Sequence, residues 1–151
     1  MSDQYALNAA AQARWMAALA SGNPSGLREA SGWLYTSTTE FRRPTGLDGQ
    51  TRYIGYDEWA PWMEAIVRAF HPLYGKVLKR LDDGRGTICQ LSRLTGVHSG
   101  TFELPGIDPV PASGREIVYE ELTWMEVADG RITAQFAYFD LASLLHQMRS
   151  Y

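Results

Sequence analysis

Hydrophobic residues at the start of the chain recur with helical spacing. Leu7, Ala11, Trp15, Ala18 and Leu19 share one face of a helix predicted over 4–21, which Gly22-Asn23-Pro24 brings to a stop. A short second helix over 25–31 would take Ser25 as its cap, against the weakening effect of Gly26. Thr, Tyr and Phe then dominate 33–43, a composition that suits a strand, and Pro44-Thr45-Gly46 ends it. The strongest helical stripe lies over 57–70, where Trp59, Met63, Ile66, Val67 and Phe70 face one way; Pro61 is expected in its first turn. His71, before Pro72, reads as a group that closes this helix.

Beyond Pro72 the period changes from helical to alternating. Strands are predicted over 76–81, 87–98, 115–128 and 131–139, with Asp82-Asp83-Gly84 and Asp129-Gly130 as hairpin turns. Residues 103–114 form a Gly/Pro-rich loop. A final helix over 141–148 places Leu141, Leu144, Leu145 and Met148 on one side. Helices first, hairpin-joined strands later and a closing helix define an α+β class. The expected architecture is a curved antiparallel sheet with helices packed on its concave face, enclosing a cone-shaped pocket. One domain over 1–151 accommodates all of it.

Composition narrows the options for function. Fourteen Lys and Arg against seventeen Asp and Glu leave a net charge of −3, so no basic excess advertises nucleic acid or an anionic membrane as a partner. No run of 18 apolar residues is present, and the N-terminus lacks the pattern of a secretory signal. The single cysteine, Cys89, excludes an intrachain disulfide and reads as a small core residue; a cytoplasmic setting is expected. The three histidines are scattered, and no H-x-H, H-E-x-x-H, G-x-S-x-G, G-x-G-x-x-G or P-loop pattern occurs. Neither a metal nor a cofactor is expected.

Three segments resemble the SnoaL-like polyketide cyclase family, within the wider nuclear-transport-factor-like superfamily. Thr95-Gly96-Val97-His98-Ser99-Gly100-Thr101-Phe102 is similar to a T-G-x-H-x-G-x-F strand end. Pro111-Ala112-Ser113-Gly114-Arg115 is a variant of P-P-T-G-[RK]. Asp129-Gly130-Arg131-Ile132, followed by Asp140 and Leu144-Leu145-His146-Gln147-Met148, is similar to the D-G-K-I…D…L-x-Q-L close. The resemblance implies a cone-shaped pocket, a homodimer formed through the sheet, and cofactor-free aldol ring closure assisted by an aspartate. That aspartate aligns with Ala137, which cannot carry a proton. Histidines of the cyclases align with Gln135 and Thr123. The cyclase chemistry is therefore not inherited residue for residue, and fold alone selects no function.

Alternation places Tyr119, Glu121, Thr123 and Met125 on one face of their strand, and the alignment turns that face inward. A carboxylate in an apolar cone holds its proton more tightly, which suits Glu121 to acid/base work near neutral pH. A register off by one would turn Glu120 inward instead. His98 could orient a carbonyl or fix the adjacent loop, and Asp140 could cap the last helix or stand at the cavity mouth. Gln135, Thr123, Tyr119, Trp59 and Met63 are candidate substrate contacts. Phe41 and Arg43 could add a ring and a cation at the mouth, or Arg42 and Arg43 could form an exposed pair.

The expected ligand is a small, apolar or aromatic carbonyl compound, and the expected chemistry is cyclisation, isomerisation or dehydration. A non-catalytic binding or dimerisation module and, more remotely, an epoxide-type hydrolase are the alternatives.

Overall fold

The computed structural model describes residues 3–20, 23–43 and 49–149, so the turn expected at Pro44-Thr45-Gly46 lies outside the described residues. Among the described residues, four helices, α1 (Gln4–Ala20), α2 (Pro24–Leu34), α3 (Tyr56–Ala69) and α4 (Leu141–Arg149), accompany six strands. The strands are β1 (Tyr35–Arg42), β2 (Arg52–Ile54), β3 (Phe70–Asp82), β4 (Thr87–His98), β5 (Glu116–Ala128) and β6 (Arg131–Phe139). They form one open sheet in the order β2-β1-β6-β5-β4-β3. The α+β class and the helix-covered sheet are as expected.

The pairing is mixed rather than wholly antiparallel, because β1 runs parallel to β6. Turn signals report only on strands joined by turns. The long excursion from β1 through α3 leaves no such signature.

Helix α2 starts one residue earlier and ends three later than the spacing predicts. Asn23, not Ser25, is its cap: the Asn23 side chain accepts from the Ser25 N–H at 2.9 Å, and Pro24 takes the first turn, where no N–H is needed. Helix α3 begins at Tyr56, which moves Pro61 into the second turn, on an exposed position. Strand β3 starts directly at Phe70, so His71 belongs to the strand and does not close the helix. Pro72 is tolerated there because β3 is an edge strand. Strand β2, three residues long, is too short to leave a pattern in sequence.

Strands β4 and β6 have the bounds that alternation predicts, and α1 buries its expected stripe of Ala11, Trp15, Ala18 and Leu19. Asp129 and Gly130 both adopt positive φ, 51° and 73°, the backbone needed for the tight hairpin between β5 and β6. Gly100 has a packing reason: a Cβ there would lie 2.2 Å from the Arg68 carbonyl oxygen at the end of α3. Cys89 stands half-buried beside Trp124 on the outer row, a correction to the core placement expected for it.

Strand β5 is longer than β6, so its first residues have no strand on that side. Helix α4 takes the place of the missing strand. The Gln147 side chain donates to the Val118 carbonyl at 2.8 Å and accepts from the Val118 N–H at 2.8 Å, as a neighbouring peptide would. Among the described residues, no helix is long and apolar enough to cross a membrane.

Candidate functional site

The inward row of β5 is Ile117, Tyr119, Glu121, Thr123, Met125 and Val127, all buried except Glu121, which is partly so. Glutamate is the only ionisable carboxyl in that row. The register sets Ser92 and Phe139 opposite Glu121, and Gln90 and Ala137 opposite Thr123. Above the sheet, α1 and α3 bring down Trp15, Trp59, Trp62 and Met63. The result is a small enclosed cavity of about 40 Å³, lined by those helical residues and by Arg43, Tyr119, Glu121, Gln135, Ala137 and others. That is room for about one or two water molecules, well below the 300–1,000 Å³ typical of ligand pockets. The cone-shaped pocket expected from the sequence is reduced to this small cavity, because aromatic rings crowd the space.

Stacked aromatics account for the narrowing. Trp59 lies flat on Phe41, with centroids 5.2 Å apart and planes within 7°, and also stacks on Trp62 at 6.4 Å. Tyr53 meets Trp59 edge-on at 5.4 Å. The Arg43 guanidinium sits 3.1 Å from the centre of the Trp62 ring and donates to the Tyr53 hydroxyl and the Gln50 carbonyl. Arg43 is thus buried and engaged, whereas Arg42 is exposed beside Glu40.

Burial pushes the Glu121 carboxyl up to about 7, and a hydrogen bond from the Thr123 hydroxyl at 3.1 Å pulls it back in part. Tyr119 and Tyr35 also hold their protons well above the ordinary tyrosine range, first because they are buried; Glu121 adds to the effect in both. Tyr35 donates to the Gln135 carbonyl oxygen at 3.4 Å. The Gln135 amide nitrogen is buried and meets no acceptor, as are the indole N–H groups of Trp59 and Trp62. Each such group costs about 1–3 kcal/mol when nothing accepts from it. At this density around one cavity they describe a largely apolar site whose few polar groups are incompletely paired.

The structure therefore gathers Glu121, Gln135, Tyr119, Trp59, Met63 and Arg43 around one space, with Thr123 bonded to Glu121 and Phe41 backing Trp59. His98 and Asp140 line other parts of the molecule. The His98 ring nitrogen Nδ1 accepts from the Ser113 N–H at 3.3 Å and lies 2.9 Å from the Ser113 hydroxyl, which ties the 103–114 loop to the end of β4. Desolvation holds His98 below the ordinary histidine range. Asp140 accepts from the Ser143 N–H at 2.9 Å and caps α4. It lines a wider groove of about 830 Å³ on the opposite, outward face of the sheet, together with Glu120, Leu122 and Tyr138. That groove is larger but open, and its carboxylates are solvated; the enclosed cavity is where a proton-transfer group gains from its surroundings.

Trp15 is readable only as part of the apolar stripe of α1, and nothing in the sequence marks it or Trp62 as a cavity wall. Leu19, Ile66, Leu94 and Phe139 complete the lining and carry no signal beyond their apolar spacing.

An open mixed sheet with helices over one face and an acidic group beneath them defines an α+β fold of the nuclear-transport-factor-like type. The family model of SnoaL-like polyketide cyclases matches residues 10–148, and the chain belongs to that family. Its fold is similar to that of a protein from Jannaschia sp. CCS1 provisionally assigned as a SnoaL-like polyketide cyclase, with a TM-score of 0.76, 18% identity, and 97% of this chain and 94% of that one covered. It is also similar to IdmH from Streptomyces antibioticus, provisionally assigned as a polyketide cyclase: TM-score 0.69, 22% identity, and coverage of 93% and 97%. An NTF2-like protein from Anabaena variabilis ATCC 29413 superposes with a TM-score of 0.70 at 14% identity, covering 95% and 94%. No protein of curated function matches the sequence.

Proposed function

We propose that this chain binds a small carbonyl compound in the Glu121 cavity and moves a proton on it without a cofactor. The observation that carries the reading is a carboxyl group facing an enclosed, largely apolar space, with its proton affinity raised to about 7 by burial. As carboxylate, Glu121 takes a proton from the carbon next to the carbonyl. The C–H electron pair moves toward the carbonyl oxygen and an enolate forms. The neutral Glu121 acid then returns the proton, either to another carbon, which isomerises the compound, or to the alkoxide formed when the enolate carbon closes a ring on a second carbonyl. Loss of that hydroxyl as water would complete a dehydration.

Glu121 on β5 would thus do from one strand what the cyclases do from the position that is Ala137 here. Tyr119 and Gln135 would orient the substrate, and the flexible Met63 side chain in the lining would have to give way to admit anything larger than the existing cavity. A second reading, a binder without catalysis, draws on Ala137 and on the closeness of the aromatic packing. Proton exchange separates the two. With 2-tetralone in D₂O, the chain should accelerate exchange of the protons next to the carbonyl, read by ¹H NMR, and Glu121→Gln should abolish the acceleration. Exchange no faster than in buffer leaves the binder.

The same reading includes a homodimer in a reducing, cytoplasmic setting. Support for the homodimer is the outer sheet face, where Val118, Leu122, Trp124 and Tyr138 are 41–52% exposed side by side. A second copy is the proposed occupant, as the family resemblance implies.

A further inference from the structure

We propose that Trp59, Trp62 and Gln135 are the positioning residues of this site, and that their three N–H groups together receive one oxygen of the bound compound. The inference rests on the reading of a carbonyl ligand given above and goes beyond it by assigning what holds the oxygen. All three side chains line the Glu121 cavity, and all three bear a buried N–H that meets no acceptor in the protein. The Trp15 indole N–H is a fourth such donor in the lining, but it acts on the Tyr35 hydroxyl. Buried donors are ordinarily paired, so the remaining three around a single small space call for an acceptor from outside the chain. The Gln135 amide is fixed by Tyr35, which donates to its oxygen at 3.4 Å and leaves the NH₂ as the available end.

Both indoles are held in place. Trp59 stacks on both Phe41 and Trp62, and the Trp62 ring also carries the Arg43 guanidinium. Donors fixed this way need no rearrangement when negative charge grows on an oxygen. Glu121 supplies the facing group, and its oxygen Oε1 is already occupied by Thr123. A cavity of about 40 Å³ suits the carbonyl end of a molecule, with the remaining scaffold beyond it. The arrangement favours a ligand whose buried end accepts hydrogen bonds and discriminates against a hydrocarbon of the same shape.

The test compares 2-tetralone with 2-methylenetetralin, which puts CH₂ where the ketone has oxygen. Binding is followed by tryptophan fluorescence and by the ¹⁵N–¹H resonances of the indoles, assigned through Trp59→Phe and Trp62→Phe. The ketone should bind at least about tenfold more tightly, and only the ketone should move the Trp59 and Trp62 N–H signals downfield. Gln135→Leu should erase most of the preference while leaving affinity for the alkene within about twofold; a merely structural role would weaken both alike. Equal affinities, unmoved indole signals, or no saturable binding of either compound overturn the assignment. The wild-type comparison requires no variant to fold. Ketone preference without proton exchange would uphold the oxygen site and defeat the catalytic reading; exchange without preference would do the reverse.

Discussion

Glu120 and Glu121 are neighbours in sequence and opposites in circumstance. Glu120 faces outward, 47% exposed at its side chain, and pairs with Arg93 at 2.8 Å. Glu121 faces inward, where burial is the main influence on it and only a neutral hydroxyl compensates. Water and a flexible arginine make the first an ordinary surface ion pair, worth about 0–1 kcal/mol. A protein interior makes the second a group that changes charge near neutrality. One peptide bond and the two-residue period of a strand separate a solvated charge from a reactive one.

Substitutions at these two positions should part widely. Glu121→Gln should slow proton exchange on 2-tetralone by about 10²–10⁴-fold, the range a single acid/base supplies, while Glu120→Gln leaves it unchanged. Equal effects would erase the contrast. The wild-type exchange rate should also climb with pH through about 7, since the carboxylate is the acting form, and that inflection should vanish in Glu121→Gln.

The next largest effect is on stability. The folded chain keeps the Glu121 proton up to about pH 7, whereas an unfolded chain releases it near 4.5. Stability therefore falls as pH rises through that window, and the loss is complete above it. Urea denaturation at pH 8 should find Glu121→Gln more stable than wild type by at most about 3 kcal/mol, with the advantage shrinking to nothing below pH 4.5. Glu120→Gln should stay within about 0.5 kcal/mol at both pH values.

The outer row can be tested in its own right. Trp124→Glu should weaken self-association by about 30-fold or more, seen by light scattering on a size column, and leave exchange per chain intact. A wild-type chain that elutes as a 16.9 kDa monomer would remove the dimer. The smallest expected change is at the loop tie: Ser113→Ala should cost about 1 kcal/mol in urea denaturation without altering exchange, whereas a large drop in exchange would draw His98 into the site.

The sequence makes some of this arrangement readable and hides the rest for physical reasons. Alternation along 116–128 places Glu121 on the buried side because a strand has only two faces and one of them is apolar. The motif around His98 reads correctly as a strand end, but its clasp on Ser113 joins residues fifteen apart through a loop of irregular backbone. The parallel pairing of β1 with β6 is invisible because no turn links them. The narrowness of the cavity is hidden for another reason. Spacing puts Trp59 on the apolar face of its helix, but whether an indole lies across a hollow or beside it depends on neighbours such as Phe41 and Arg43, which come from β1 and the residue after it.

The bond between Gln147 and Val118 has a geometric corollary. A helix advances by about 100° per residue, so only one spacing between Phe139 and position 147 brings that amide round to the strand. Lengthening or shortening 140–146 by a single residue would swing it away and unfasten the stretch three positions before Glu121, so this short segment should accept exchanges of side chain far more readily than changes in length.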